Sequence, residues 1–120
     1  QAAASDTTAE SEPAAAEGEG GADRYYRIEN LVINPAGSVG SLLLVSVVFD
    51  IARVEERVRL ESRDAEVRDR VATVLSAQTL DMLGAPSARD SLKRLIANSV
   101  APLLAAHTPV RVFLPQFVLQ

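Results

Sequence analysis

Residues 42–52, LLLVSVVFDIA, constrain the fold of this chain more than any other segment. A β-strand turns successive side chains to opposite faces, so these residues divide into two sets. One set is entirely apolar, and the other is apolar apart from Ser46 and Asp50. A strand that is apolar on both faces is normally covered on both. The segment therefore predicts a central strand whose second cover, in so small a domain, is another molecule.

The composition changes sharply after residue 23. The first 23 residues contain eight alanines, six acids and three glycines, but no basic residue, no aromatic residue and no Val, Ile or Leu. Such a segment cannot bury enough apolar surface to offset the entropy lost on ordering. It carries −6 and residues 24–120 carry +2, which gives the net −4 of the chain. We predict a disordered acidic linker over residues 1–23 and one domain over residues 24–120, whose near balance of charge argues against nucleic-acid binding.

The cysteine content and the hydropathy limit the possible environments of the chain. It has no cysteine, which excludes disulfides and thiol chemistry and fits either a reducing or an oxidising compartment. No apolar run reaches the 18 residues that a membrane-spanning helix needs. The sequence begins with Gln rather than Met, so we expect that an upstream segment, either a signal or a membrane anchor, was removed.

Two strand-like segments are followed by helical patterns. Residues 25–34 are rich in aromatic and β-branched residues and run into an Asn-Pro turn, which is typical of a strand. Residues 53–61 fit a helical turn or a strand, and we favour a helix. From residue 64 a helical stripe predicts one helix that ends at Gly84 and Pro86, with the stripe formed by Val67, Val71, Val74, Leu75, Gln78 and Met82. A second stripe spans residues 92–103, and Pro102 should kink that helix or end it near Ala101.

The chain closes on a strand-like segment, residues 110–120. Simple alternation places Phe113, Phe117 and Leu119 on one face, and Pro115 indicates an edge strand or a bulge. The predicted order is β-β-α-α-β. It defines an α+β fold in which a small, mostly antiparallel three-stranded sheet packs against two amphipathic helices, with the last strand tied into the sheet.

Catalytic chemistry has no positive support in the sequence. His107 is the only histidine, and its position past the second helix suits an interaction with the helix C-terminus. Asp64, Glu66 and Asp69 alternate with arginines, which is typical of a solvated helix face rather than a metal site. Ser46 lies in an apolar pattern, which predicts a core hydroxyl whose hydrogen bonds are satisfied within the fold. We therefore predict no catalytic residue, no cofactor and no metal.

Five pieces of the sequence together resemble the periplasmic domain of the flagellar basal-body protein family FliL, over residues 26–120. They are YRIENLVINP, LLLVSVVFDI, EVRDRVATVLSAQTLDML, RDSLKRLI and VFLPQFVLQ, and their order, spacing and common end point carry the resemblance. The family's strand-end Asn, its Arg-Asp pair, its Leu-basic pattern and its closing Phe, Phe and Gln fall on seven positions: Asn34, Arg68, Asp69, Leu92, Phe113, Phe117 and Gln120. The chain departs from the family at GAPSARDS, where a Gly-Arg or Gly-Lys feature is usual, and at its two prolines 102 and 115.

The resemblance implies a stomatin-like (SPFH-like) domain without enzymatic activity, held at the bacterial inner membrane by an upstream helix absent from these 120 residues. It also implies self-association, in some members as a ring, and binding to the flagellar stator proteins MotA and MotB in support of motility. From the sequence itself, Leu44 and Leu80 are the candidate protein-contact residues. Two alternatives stay open: a monomeric periplasmic module that binds a peptide or a cell-wall fragment, and a stomatin-like membrane scaffold. An upstream hydrophobic helix would favour the stator partner or the scaffold, and a cleavable signal would favour the binding module.

Overall fold

The computed structural model describes residues 24–105 and 110–120 of the chain. The predicted linker over residues 1–23 and the histidine at position 107 lie outside the described residues. Within them the elements follow in the order β1 (Tyr25–Ile33), β2 (Leu43–Asp50), α1 (Val54–Ser62), α2 (Asp64–Ser76), α3 (Leu80–Gly84), α4 (Ala88–Val100), a 3₁₀ turn (Ala101–Leu103) and β3 (Arg111–Leu119). The predicted α+β fold and its order of strands and helices are confirmed.

The strands form a three-stranded antiparallel sheet in which β2 lies between β1 and β3. The ladder extends beyond the named strands, because Leu42 and Gln120 exchange two backbone hydrogen bonds of 3.0 and 2.8 Å. The last residue of the sequence is therefore paired. This confirms the prediction that the closing segment is tied into the sheet.

The hydrophobic core lies between the helices and one face of the sheet, which we call the inner face. On β2 this face consists of Leu43, Val45, Val47 and Phe49, all of them fully buried. α2 and α4 contact each other, and their apolar stripes close over the sheet, with α1 and α2 against β1 and α4 against β3. We call the opposite face, which on β2 carries Leu44, Ser46, Val48 and Asp50, the outer face.

The helix boundaries differ from the prediction in one place. α1 and the end of α4 before Pro102 are confirmed, but the single helix predicted from residue 64 to Gly84 is wrong. The chain leaves the helix after Ser76, because the backbone N–H of Ala36 donates to the carbonyl of Gln78 at 2.8 Å. Thr79 then starts α3 by accepting a hydrogen bond from the N–H of Met82 at 3.2 Å.

Two β-bulges lie on either side of the middle of β2. On β1 the extra residue falls at Glu29–Asn30, and Asn30 adopts a left-handed φ of 60°. On β3 it falls at Leu114–Pro115, which confirms that the proline marks an edge strand and a bulge. A one-residue bulge exchanges the two faces of a strand.

The β3 bulge corrects one prediction from the sequence. Phe113 does not share a face with Phe117 and Leu119. It lies on the outer face, while Phe117 and Leu119 lie on the inner face with Val112 and Leu114. Simple alternation assigned Phe113 to the wrong face because it takes no account of the extra residue that the bulge inserts into β3.

Candidate protein-contact surfaces

The outer face carries a row of apolar side chains near the ends of β1 and β3. Val32 of β1 is opposite Leu44 of β2, which in turn is opposite Val118 of β3, and Leu42 lies on the same face beside Leu44. Val32 is 61% exposed and Leu42 is 39% exposed, while Leu44 and Val118 are half-buried. No described helix packs over these residues. We call them the apolar row.

The other half of the outer face is closed by arginine side chains. Tyr25, Val48 and Phe113 form a small buried cluster there. The guanidinium of Arg24 lies 5.8 Å from the centre of the Tyr25 ring, and that of Arg111 lies 5.2 Å from the centre of the Phe113 ring. Cation–π contacts of this kind shield aromatic rings while the charge stays in water. This half of the face therefore needs no further cover.

Ser46 separates the two halves of the outer face. Its hydroxyl oxygen accepts from the backbone N–H of Asn30 at 3.1 Å and the hydroxyl donates to Oε1 of Gln116 at 2.9 Å. Ser46 thus links the β1 bulge to β3 across β2. Its interpretation as a satisfied core hydroxyl is confirmed, since both hydrogen bonds are structural and the residue is buried.

A second exposed apolar site lies on α3. Leu80 is the first residue of α3 and is 39% exposed, while Leu83 anchors the same helix in the core. Beside α3 a hollow of about 280 Å³ is lined by Leu83, Arg89 and Phe117. The Arg89 guanidinium lies 5.1 Å from the centre of the Phe117 ring and donates to the carbonyl of Leu114 at 3.3 Å. Leu80 is therefore accessible, but it stands apart from the apolar row.

A hydrogen-bonded group fastens the start of α2 to β1. The hydroxyl of Tyr26 donates to Oδ1 of Asp64, and Nε of Arg68 donates to Oδ2 of the same carboxylate at 2.7 Å. Burial, followed by the bond to Asp64, raises the pKa of Tyr26 well above its ordinary value. The bonds from Tyr26 and then Arg68 lower the pKa of Asp64. All three groups are held in structural roles.

The family-motif positions do not gather into one site. Leu92 and Phe117 belong to the inner core, Phe113 belongs to the outer cluster, and Gln120 closes the ladder with Leu42. The remaining positions lie on helix α2 or in the turn after β1: Asn34, Arg68 and Asp69. Asn34 and Asp69 are exposed, and Arg68 is bound to Asp64. Most of these positions therefore maintain the fold.

Sequence reasoning found the centre of the apolar row but missed its neighbours. Leu44 was identified from the two-sided pattern of β2, whereas Val32, Leu42 and Val118 were not. The signal for Val32 was available in the alternation of β1. It could be used only with the strand register, which the bulges shift by one residue.

Neither a metal cluster nor a membrane-spanning helix is found in the described part of the chain. Across residues 24–105 and 110–120, no three His, Cys, Asp or Glu side chains are placed to hold a metal ion together. In the same residues, no helix has both the length and the hydropathy needed to cross a bilayer.

These features define a small α+β domain whose sheet has one sealed face and one partly open face. The model of the family described as flagellar basal body-associated protein FliL matches residues 25–120. The chain belongs to the FliL family of flagellar basal body-associated proteins. No curated protein shows a significant sequence match to the chain.

Proposed function

We propose that this domain is a non-enzymatic accessory of the flagellar motor, which self-associates and binds the stator proteins MotA and MotB in the periplasm. Family membership supports a role at the flagellar basal body. The observation that carries the finer proposal is the apolar row, because its four side chains are neighbours on the outer face and no described helix packs over them. Contiguous exposed apolar patches on small domains mark protein contacts.

The size of the patch sets the strength of the contact. Complete burial of an exposed Val or Leu contributes roughly 1.5–3 kcal/mol, and Leu44 and Val118 are already half-buried. Association of two free proteins costs about 4–15 kcal/mol in lost translational and rotational freedom. The apolar row alone therefore supports only weak association in solution. An upstream membrane anchor would raise the local concentration and make the same contact effective.

The proposal is tested by placing a charge in the apolar row. In the anchored protein with its upstream segment, Leu44→Glu should abolish chemical cross-linking between copies, capture of MotA and MotB, and swimming in soft agar. Leu80→Glu tests the second candidate surface on α3 in the same assays. Leu95→Glu is the matched control, because Leu95 is 41% exposed on α4 and belongs to neither surface.

The three variants separate the outcomes. Circular dichroism should show that all three are folded, since each replaces a side chain that is at least partly exposed. If Leu44→Glu behaves like Leu95→Glu in cross-linking, capture and motility, the outer face is not the contact. A protein that stays monomeric in the membrane and captures no stator would favour the peptide- or cell-wall-binding module.

A further inference from the structure

A groove runs between α4 and the free edge of β3. It has a volume of about 410 Å³, and its apolar lining includes Ala97, Val110 and Val112. Within the described residues, β3 pairs with β2 on one side only. We call this the β3-edge groove. It lies apart from the apolar row, which occupies the other half of the sheet.

The register fixes which backbone groups of β3 point into the groove. Leu42 and Gln120 exchange both hydrogen bonds of the ladder, so every second residue of β3 directs its N–H and C=O toward β2. The bulge shifts this alternation by one residue. As a result Arg111 and Phe113 direct their backbone groups to β2, and Val112 directs its groups away from β2.

The contact made by Arg89 shows that a backbone group of β3 is bound from outside the sheet. Leu114, two residues beyond Val112, is the first residue of the bulge. Its carbonyl accepts a hydrogen bond from the Arg89 side chain on α4 at 3.3 Å. The edge of β3 can thus accept hydrogen bonds from groups that do not belong to the sheet. Next to Val112, a peptide backbone could supply such groups.

The charge of the groove selects the occupant. Lys93 and Arg94 on α4 and Arg111 on β3 line it, and no acidic residue does. Asp50, in the adjoining hollow, is bound to Arg24 at 2.7 Å. Asp90 lies three and four residues before Lys93 and Arg94 on α4 and is not among the residues that line the groove. A second copy of β3 would bring another Arg111 into this positive field, where like charges repel.

We propose that the β3-edge groove binds an extended acidic segment of a partner protein, which adds to β3 as a fourth strand. Backbone hydrogen bonds to Val112 would supply affinity, as in other strand additions to an exposed sheet edge. Acidic side chains of the segment reach Arg94 on one side and Arg111 on the other, and apolar ones contact the apolar residues that line the groove. This surface goes beyond the proposed function, because it is independent of self-association through the apolar row.

Fluorescence anisotropy on the whole 120-residue chain tests the charge requirement. The probe is a fluorescein-labelled heptapeptide in which Glu alternates with Val, and its control is the same peptide with Lys in place of Glu. The Glu peptide should bind saturably and the Lys peptide should not. Arg94→Glu should weaken binding about tenfold, since an attraction becomes a repulsion. The matched control Arg63→Glu, on the β1 side of the molecule, should change it less than about twofold.

A second measurement tests strand addition on the unaltered protein. Two versions of the Glu peptide carry N-methyl groups on alternate residues, one at odd and one at even positions. A strand presents one edge to β3, so only one version should lose binding. Equal loss in both, or in neither, would overturn the proposed strand addition. Equal binding of the Lys peptide, equal effects of Arg94→Glu and Arg63→Glu, or no binding of either peptide would overturn the assignment of an acidic partner.

Discussion

The inner and outer faces of β2 are built from similar residues, but their side chains are buried to different extents. On the inner face Leu43, Val45, Val47 and Phe49 are fully buried beneath the helices. On the outer face Val48 is fully buried, whereas Leu44 is only half-buried. An apolar residue on this strand therefore does not by itself define the core. The elements that follow in the chain decide which face they cover.

The two halves of the outer face show how an apolar surface can be closed without a helix. Tyr25 and Phe113 are covered by the guanidinium groups of Arg24 and Arg111, while Asp50 holds Arg24 in place at 2.7 Å. The apolar row has no such cover in the described residues. The difference indicates that one half contributes to the stability of the monomer and the other remains available for contacts.

Truncation of the inner face should have the largest effect on stability. Phe49 is fully buried and its ring centre lies 5.9 Å from that of Tyr26. Phe49→Ala should lower the free energy of unfolding by about 3–5 kcal/mol, because the helices above it cannot collapse fully into the cavity. Urea denaturation followed by circular dichroism measures this. A loss below about 1 kcal/mol would contradict the assignment of the inner face as the core.

The same truncation on the outer face should have a smaller effect. Phe113→Ala removes a ring of equal size from the arginine-covered cluster. We expect a loss of about 2 kcal/mol, below the usual range for a core Phe, because the Arg111 side chain can close over the space and water can enter it. The same urea titration allows a direct comparison. A loss equal to that of Phe49→Ala would show that the arginine cover stabilises the cluster as well as a helix layer does.

The overall architecture could be predicted from the sequence because its signals are local and strong. The apolar run around Phe49, the stripe of α4 and Pro102 each specify an element or its end without reference to the rest of the chain. The paired position of Gln120 followed from the strand-like closing segment. Leu44 could be singled out as a candidate contact residue because its strand is apolar on both faces.

The features that could not be predicted depend on partners far away in the sequence. α2 ends where Ala36 binds the carbonyl of Gln78, and no local pattern shows that hydrogen bond. The bulge at Pro115 was suspected from the proline, but its effect on the face of Phe113 required the register against β2. The β3-edge groove needs both the register and the position of α4, so the sequence alone gave no signal for it.

The bond between Tyr26 and Asp64 should have a moderate, pH-dependent effect. Tyr26→Phe keeps the ring in the inner core and removes only the hydroxyl that donates to the carboxylate. A hydrogen bond to a charged group contributes about 1.5–3 kcal/mol when well buried, and the partial exposure of Asp64 reduces this to about 1 kcal/mol. Tyr25→Phe on the outer face is the matched control and should change stability by less than about 0.5 kcal/mol.

The direction of the two pKa shifts sets the pH range of this effect. The folded pKa of Asp64 is lowered, so its contribution is present above the unfolded value near pH ~4 and is lost as the pH falls through the folded pKa. The folded pKa of Tyr26 is raised, so its contribution is present below about pH 10 and is lost as the pH rises through the folded pKa. The difference between wild type and Tyr26→Phe should be largest between about pH 5 and 9. A difference that grows at acid pH would contradict the assignment.

The smallest effect is expected in the apolar row, where one substitution can be compared on both faces. Val32 and Val45 are β-branched strand residues, but Val32 is 61% exposed and Val45 is fully buried. Val32→Thr should leave the free energy of unfolding within about 0.5 kcal/mol. Val45→Thr buries a hydroxyl without an assured partner and should cost about 1–3 kcal/mol in the same urea titration. In the cross-linking assay of the proposed function the order should be reversed: Val32→Thr should weaken cross-linking at unchanged stability, and Val45→Thr should weaken it less. Equal stability losses would mean that the outer face is covered within the monomer, and the apolar row would then be core rather than contact surface.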